Sequence, residues 1–199
     1  MLPGRDPEVS CPEFNRAWAG EALVPGRLLV FCGIPGSGKT TIARLVAKGN
    51  PNAVHIQTDF FRTMISDPTF SAAESDFVYG AAVAAAKVAL DAGRLVILDA
   101  TFGSRRRREK TLGELAGRFS RVDFVLVTCD LETALKRNAG RTGSAVVPEK
   151  TLVDILSRFE EPEGATRVDS SRTPPQTNAD QIARALRLPF GAARVEPLQ

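Results

Sequence analysis

Gly33, Gly36, Gly38, Lys39 and Thr40 stand at the spacing Gly-x4-Gly-Lys-Thr within the run GIPGSGKTT at 33–41. Glycine tolerates positive φ and close backbone approach, so consecutive N–H groups and the start of a following helix can face a polyanion. In such a loop Lys39 bridges the β- and γ-phosphates of a nucleotide and the Thr40 hydroxyl holds Mg²⁺. Pro35 fixes part of the loop and removes one donor, while Ser37 and Thr41 complete the stretch expected against the nucleotide. The competing reading is a tight strand-to-helix turn that happens to carry Gly and Lys. Against it stands the context: an apolar, β-type run at 28–32 leads in and a helical pattern leads out, as a phosphate-binding P-loop requires.

Candidate acids and bases follow. Asp59, in the run TDFFR at 58–62, comes just after a short strand signal at 53–57. A hydroxyl that attacks a γ-phosphate needs a base to accept its proton, and a positioned Asp does that work. Capping the next helix is the alternative role, and it does not exclude the first. Arg62 lies three residues on; on a helix it shares a face with Asp59 and can grip an anionic group of the acceptor. Asp99 ends the apolar run at 95–98 and, with Thr101, is expected beside the acceptor. It has the position of a second carboxylate that binds Mg²⁺ through water or orients a neighbouring arginine, and both roles stay open.

Arginines supply the remaining charge. Arg137 and Arg141 are four apart beside a glycine-containing loop, which suits a lid closing over the nucleotide, against the bland reading of a solvated basic helix end. Arg172, after the last strand signal, is expected on the nucleotide as well. Arg105, Arg106, Arg107 and Arg108 fill the first turn of a helix, where cations are unfavourable; a solvated face is the first reading and an anionic partner the second. His55, the only histidine, sits mid-strand and reads as a core residue rather than a base.

These side chains need elements to hold them. The 199 residues, 43% hydrophobic, support one core rather than two full domains. The expected organisation is an N-terminal arm at 1–26, a domain at 27–188 with a lid at about 138–148, and a tail at 189–199. Strand signals at 28–32, 53–57, 95–98, 122–128 and 167–170 alternate with helical patterns at 71–91, 104–119, 149–159 and 178–188. That alternation predicts an α/β fold of the P-loop NTPase type: three layers, a five-stranded parallel sheet, helices on both faces and a small lid. Ligands of such sheets sit beyond the carboxyl ends of the strands, where the candidate residues fall. Phe77, Val78, Val83, Val88 and Leu90 are the expected core contacts of 71–91, and Ile182, Ala185 and Leu186 those of the last helix. The net charge of +3 fits a phosphate-rich partner without specifying one. Cys11, Cys32 and Cys129 lack metal-ligand spacing and read as thiols of a reducing cytosol. With no membrane-spanning run and no signal pattern, a cytoplasmic location and no membrane partner are expected.

Five segments taken together are more specific than the loop alone: GIPGSGKTT at 33–41, TDFFR at 58–62, LDAT at 98–101, LKRNAGR at 135–141 followed by AVVP at 145–148, and FEEP at 159–162. In order and spacing they resemble the kinase domain of phage-type polynucleotide 5′-hydroxyl kinase, whose relatives include seryl-tRNA, zeta-toxin-like sugar-nucleotide and gluconate-type kinases. The resemblance covers residues 28–187. It implies ATP and Mg²⁺ as cofactors, Lys39 and Thr40 on phosphate and metal, Asp59 as general base, Arg62 on the acceptor phosphate and Arg141 as lid arginine. One departure is Ala100-Thr101-Phe102, where polynucleotide kinases tend to carry Thr-Asn after the Asp, and no phosphatase domain is expected downstream. The expected activity is γ-phosphate transfer from ATP to a hydroxyl, the 5′-OH of a nucleic acid first and a small-molecule or tRNA-linked hydroxyl second. A nucleotide switch or mechanochemical ATPase would need a guanine-reading motif or a subdomain with sensor arginines, and neither is visible. A non-catalytic nucleic-acid module is disfavoured by an acid, Asp59, expected beside the phosphate loop.

Overall fold

The computed structural model describes residues 26–69, 71–142 and 146–188. The expected tail, and the expected arm apart from Gly26, lie outside these residues. In chain order the elements are β1 (Gly26–Cys32), α1 (Lys39–Lys48), β2 (Ala53–Gln57), α2 (Thr58–Arg62), α3 (Ala72–Asp91), β3 (Leu95–Asp99), α4 (Arg105–Glu114), β4 (Phe119–Thr128), α5 (Leu131–Ala139), α6 (Glu149–Ser157), β5 (Thr166–Asp169) and α7 (Pro175–Ala185). The five strands form one sheet in the order β2-β3-β1-β4-β5, and each adjacent pair is parallel. This is the α/β, P-loop NTPase-like architecture the alternation predicts.

β1 occupies the centre because its run Leu28 to Cys32 is apolar on both faces. Leu29 and Phe31 pack with Ile42, Ala43 and Val46 of α1 and Ala179 and Ile182 of α7. Leu28, Val30 and Cys32 pack on the other side with Ala82, Val83, Ala86 and Leu90 of α3 and with Leu115. Two apolar faces therefore make two cores and three layers. Burial pushes the Cys32 thiol up to about 12, so it stays protonated and unreactive. A smaller cluster of Ile34, Ala134, Val147 and Leu152 joins the P-loop to α5 and α6. Within it the Asn138 amide makes both hydrogen bonds to Val147, Nδ2 to its oxygen at 2.7 Å and Oδ1 from its N–H at 3.1 Å.

Several expected boundaries and contacts differ, each for a local reason. The helix expected to run from Ser104 to about Phe119 stops at Glu114, since Gly113 falls in its last turn and Gly117 takes φ 79 to turn the chain into β4. α7 starts at Pro175 rather than Asn178, because proline at the first helical position needs no hydrogen bond for its nitrogen. The helix packs on the face of Asn178, Ala179, Ile182, Ala183 and Leu186, which leaves Ala185 exposed and buries Ala179 and Ala183. On α3, Val78, Val83 and Leu90 are buried as expected, but Phe77 and Val88 are 60% and 65% exposed, and Ala82 and Ala86 complete the inward stripe. Among the described residues no helix is long and apolar enough to cross a membrane.

Ile182→Ala should cost about 2–5 kcal/mol of stability, the usual loss for a fully buried branched side chain. Phe77→Ala, on the exposed face, should stay within about 0.5 kcal/mol. Urea denaturation of the two variants beside the wild type measures both, and equal losses would contradict the assignment of the inward faces.

Candidate active site

The carboxyl ends of the central strands converge on one cavity of about 70 Å³, lined by Gly38, Lys39, Thr40, Thr41, Gln57, Asp59, Asp99, Ala100, Thr101 and Arg141. Strand register explains the gathering: Gln57 of β2 stands opposite Asp99 of β3, and Asp99 stands opposite Phe31 of β1. The last residues of β2 and β3 thus lie level with the penultimate residue of β1, just before the P-loop begins.

Residues 33–38 leave β1 with φ of 149, 82 and 83 at Gly33, Gly36 and Gly38. A Cβ on Gly33 would lie 2.3 Å from the Val127 oxygen, and one on Gly36 would lie 2.4 Å from the Ala134 oxygen. Glycine is required there by space as well as by φ. The loop's carbonyls are held from behind. The oxygen of Ile34 accepts from Lys39 Nζ at 2.8 Å and from the Ser37 N–H at 3.1 Å. That of Ser37 accepts from Ser170 Oγ at 2.7 Å. Arg137 donates to the oxygen of Gly36 at 3.4 Å and to the Ser170 hydroxyl and carbonyl at 2.8 Å each. Lys39 is buried, which lowers its pKa from the usual lysine value, while Asp99 and Asp59 pull it back upward.

Asp59 is in the first turn of α2 and exposed; the cap position belongs to Gln57, so capping is not its role. Asp99 is buried, and its Oδ2 lies 3.2 Å from His55 Nε2. His55 is thus more than a core side chain. Arg62 is also buried, but its guanidinium pairs with Glu74 of α3, whose other oxygen accepts from the Thr69 N–H at 2.5 Å. Arg62 is not among the residues that line the cavity.

Arg137 and Arg141 do not act as a pair. α5 ends at Ala139 with Gly140 as its C-cap, so Arg141 lies beyond the helix and the shared-face argument fails. Arg141 lines the cavity, whereas Arg137 grips the back of the loop. Arg172 is 86% exposed, with Asp169 3.7 Å away, and lies outside the cavity lining. Gln57 lines the cavity although it is not among the expected site residues; it ends a strand signal, but only its register opposite Asp99 shows that its side chain reaches the site.

The loop after β3 is fixed at both ends. The Gly33 N–H donates to the Thr101 oxygen at 3.1 Å. Phe102 is buried at φ 44, a left-handed backbone that a bulky residue keeps only when its surroundings impose it. Its N–H donates to the Tyr79 hydroxyl at 3.2 Å and its oxygen accepts from buried Arg108 at 2.8 Å. Burial pushes the Tyr79 hydroxyl up to about 12. Two of the other three turn arginines are engaged too: Arg107 pairs with Asp76 and lies 4.6 Å from the Tyr79 ring centre, and Arg105 pairs with Glu109.

A family profile described as an AAA domain matches residues 28–162, more than half of the chain. The chain belongs to this family, AAA_33. No curated protein sequence matches significantly. Solved structures similar to this AAA_33 domain include a sugar kinase from Janibacter sp. HTCC2649, with 24% identity, coverage of 83% of this chain and 97% of that one, and a TM-score of 0.65. A chain of the Pnkp1/Rnl/Hen1 RNA repair complex shares 26% identity over 68% of this chain and 44% of its own, at a TM-score of 0.59. The Mycobacterium tuberculosis APS kinase in complex with AMPPNP and APS shares 21% identity over 82% of this chain and 99% of that one, at 0.63. The AAA_33 domain thus has a P-loop NTPase-like fold shared with these kinases, and the family implies nucleotide binding.

The donor set of the cavity fits Mg²⁺. Among the described residues no group of three or more His, Cys, Asp or Glu could hold a metal alone. A hydroxyl, Thr40, and one or two carboxylates that share the ion with phosphate oxygens are what Mg²⁺ favours.

Arg137→Ala should weaken nucleotide binding roughly tenfold or more, since hydrogen bonds from a charged donor contribute about 1.5–3 kcal/mol. Because these bonds lie within the folded protein, the melting temperature should also fall by several degrees. Titration with a fluorescent ATP analogue checks this; unchanged affinity would show that the loop holds its shape without Arg137.

Proposed function

We propose that the protein transfers the γ-phosphate of ATP to a hydroxyl acceptor, with the 5′-OH of a nucleic acid as the first candidate. The observation that carries the reading is the convergence of Lys39, Thr40, Asp59, Asp99 and Arg141 on one cavity at the end of the sheet. Bound there, Mg²⁺ would neutralise phosphate charge, with Thr40 and Asp99 as its protein partners. Lys39 leaves the Ile34 carbonyl for the phosphates. Asp59, exposed at the mouth, accepts the proton of the attacking hydroxyl, and Arg141 stabilises charge on the phosphoryl group in flight. Pro35, Gly36 and Ser37 set the loop that holds the donor.

The nucleic-acid acceptor is supported by the five ordered motifs and by the 26% identity to a chain of the Pnkp1 RNA repair complex. A second reading, a small neutral hydroxyl acceptor, is favoured by Arg62. Its pairing with Glu74 means that an acceptor phosphate would have to displace a buried carboxylate.

Asp59→Asn should keep ATP binding and lower turnover by about two to four orders of magnitude. A change confined to the Michaelis constant for ATP would make Asp59 a nucleotide ligand instead. Lys39→Ala should abolish transfer in a folded protein. The acceptor is decided by γ-phosphate transfer from labelled ATP to 5′-OH DNA, 5′-OH RNA, tRNA and simple sugars. Because Arg108 is buried and Arg105 and Arg107 are paired, the electrostatic test uses Arg106→Gln with Lys110→Gln. For a polynucleotide acceptor this double variant should flatten the dependence of the Michaelis constant on salt. Turnover of sugars alone would assign the protein to the small-molecule branch.

A further inference from the structure

His55 has no part in the proposed transfer, yet it touches the residue most central to it. It precedes Gln57 by two positions on β2 and shares its face, because successive strand residues alternate. The register puts Gln57 opposite Asp99 and His55 opposite Ile97. Across that step His55 Nε2 lies 3.2 Å from Asp99 Oδ2, and His55 Nδ1 lies 3.4 Å from the amide nitrogen of Gln57. A carboxylate only accepts and an amide nitrogen only donates. The ring therefore donates from Nε2 and accepts at Nδ1, which selects one tautomer. The side chains of His55 and Asp99 retain 10% and 3% exposure, so water competes little for these bonds.

We infer that His55 is a positioning residue for Asp99. It holds Oδ2 through Nε2–H and leaves Oδ1 as the oxygen available to the Mg²⁺-nucleotide. Through Nδ1 it also fixes the amide of Gln57, so two residues of the cavity lining are oriented by one buried ring that does not line it. Outer partners of this kind set the direction of a ligand rather than its identity, and their loss usually costs about 10–100-fold in metal affinity or activity. The inference rests on the reading of this cavity as the Mg²⁺-ATP site.

Because the chain has a single histidine, its ring is observable without assignment. Long-range ¹H–¹⁵N correlation spectra should show the Nε2–H tautomer, and the ring signals should move when Mg²⁺ and AMPPNP are added together. His55→Leu should raise the Mg²⁺ concentration for half-maximal AMPPNP binding by about 10–100-fold. It should also lower kcat, with the Michaelis constant for the acceptor unchanged. His55→Gln, which restores a nitrogen donor at similar reach, should recover most of both. Equal loss in the two variants, or unchanged Mg²⁺ dependence in His55→Leu, overturns the inference. If His55→Leu does not fold, the wild-type spectrum decides, and a ring protonated at Nδ1 or indifferent to Mg²⁺-AMPPNP overturns it. Failure of the wild type to bind Mg²⁺-AMPPNP at all overturns the kinase reading itself, whereas wild-type binding with an unaffected His55→Leu removes the positioning role alone.

Discussion

A loop that offers its N–H groups to an anion must have its carbonyls bound from behind, and the rest of this structure is arranged around that need. Lys39 holds the oxygen of Ile34, Arg137 that of Gly36 and Ser170 that of Ser37. Each donor comes from a different element: α1, α5 and the end of β5. The sheet order that puts β1 in the middle is what allows partners from both sides to reach the loop. Removing one donor leaves the glycines free to turn, and a loop that can turn no longer presents a concave set of N–H groups.

Charge is divided with similar economy. Arg105, Arg106, Arg107 and Arg108 look alike in sequence, but the backbone sends them in different directions. Arg108 is buried against the main-chain oxygens of Phe102 and Glu160, Arg107 lies between Asp76 and the Tyr79 ring, and Arg105 meets Glu109 one turn on. The cost of cations at a helix start is offset by these partners rather than by one common ligand. The run is a scaffold for the loop after β3 first and a basic surface second.

The P-loop, the strand order and the ends of the apolar runs were legible because their signals are local: a fixed spacing, a continuous hydrophobic run, an acid at its end. Asp59 and Asp99 could be placed in the cavity lining on that basis alone. What could not be read needed register or phase. The link between His55 and Asp99 exists only once β2 is paired with β3, and Gln57 reaches the cavity for the same reason. Arg137 and Arg141 separate because Gly140 stops a helix that spacing alone would continue. Phe77 and Val88 face outward because an alanine-rich helix has too weak an apolar stripe to fix its own rotation, so packing on β1 and β3 decides it.

The placement of β1 also governs the order of events as the chain leaves the ribosome. β1 emerges before its partners, yet it is hydrogen-bonded on one side to β3 and on the other to β4, which come much later. Strand pairings at long sequence separation form slowly, and here the central one must wait for more than half of the domain. The phosphate loop waits longer still, since Ser170 follows β5. A nucleotide therefore meets no finished loop on the nascent chain and can stabilise only a sheet that is already assembled; until then α1, which follows β1 directly, is the element at hand to cover one of its apolar faces.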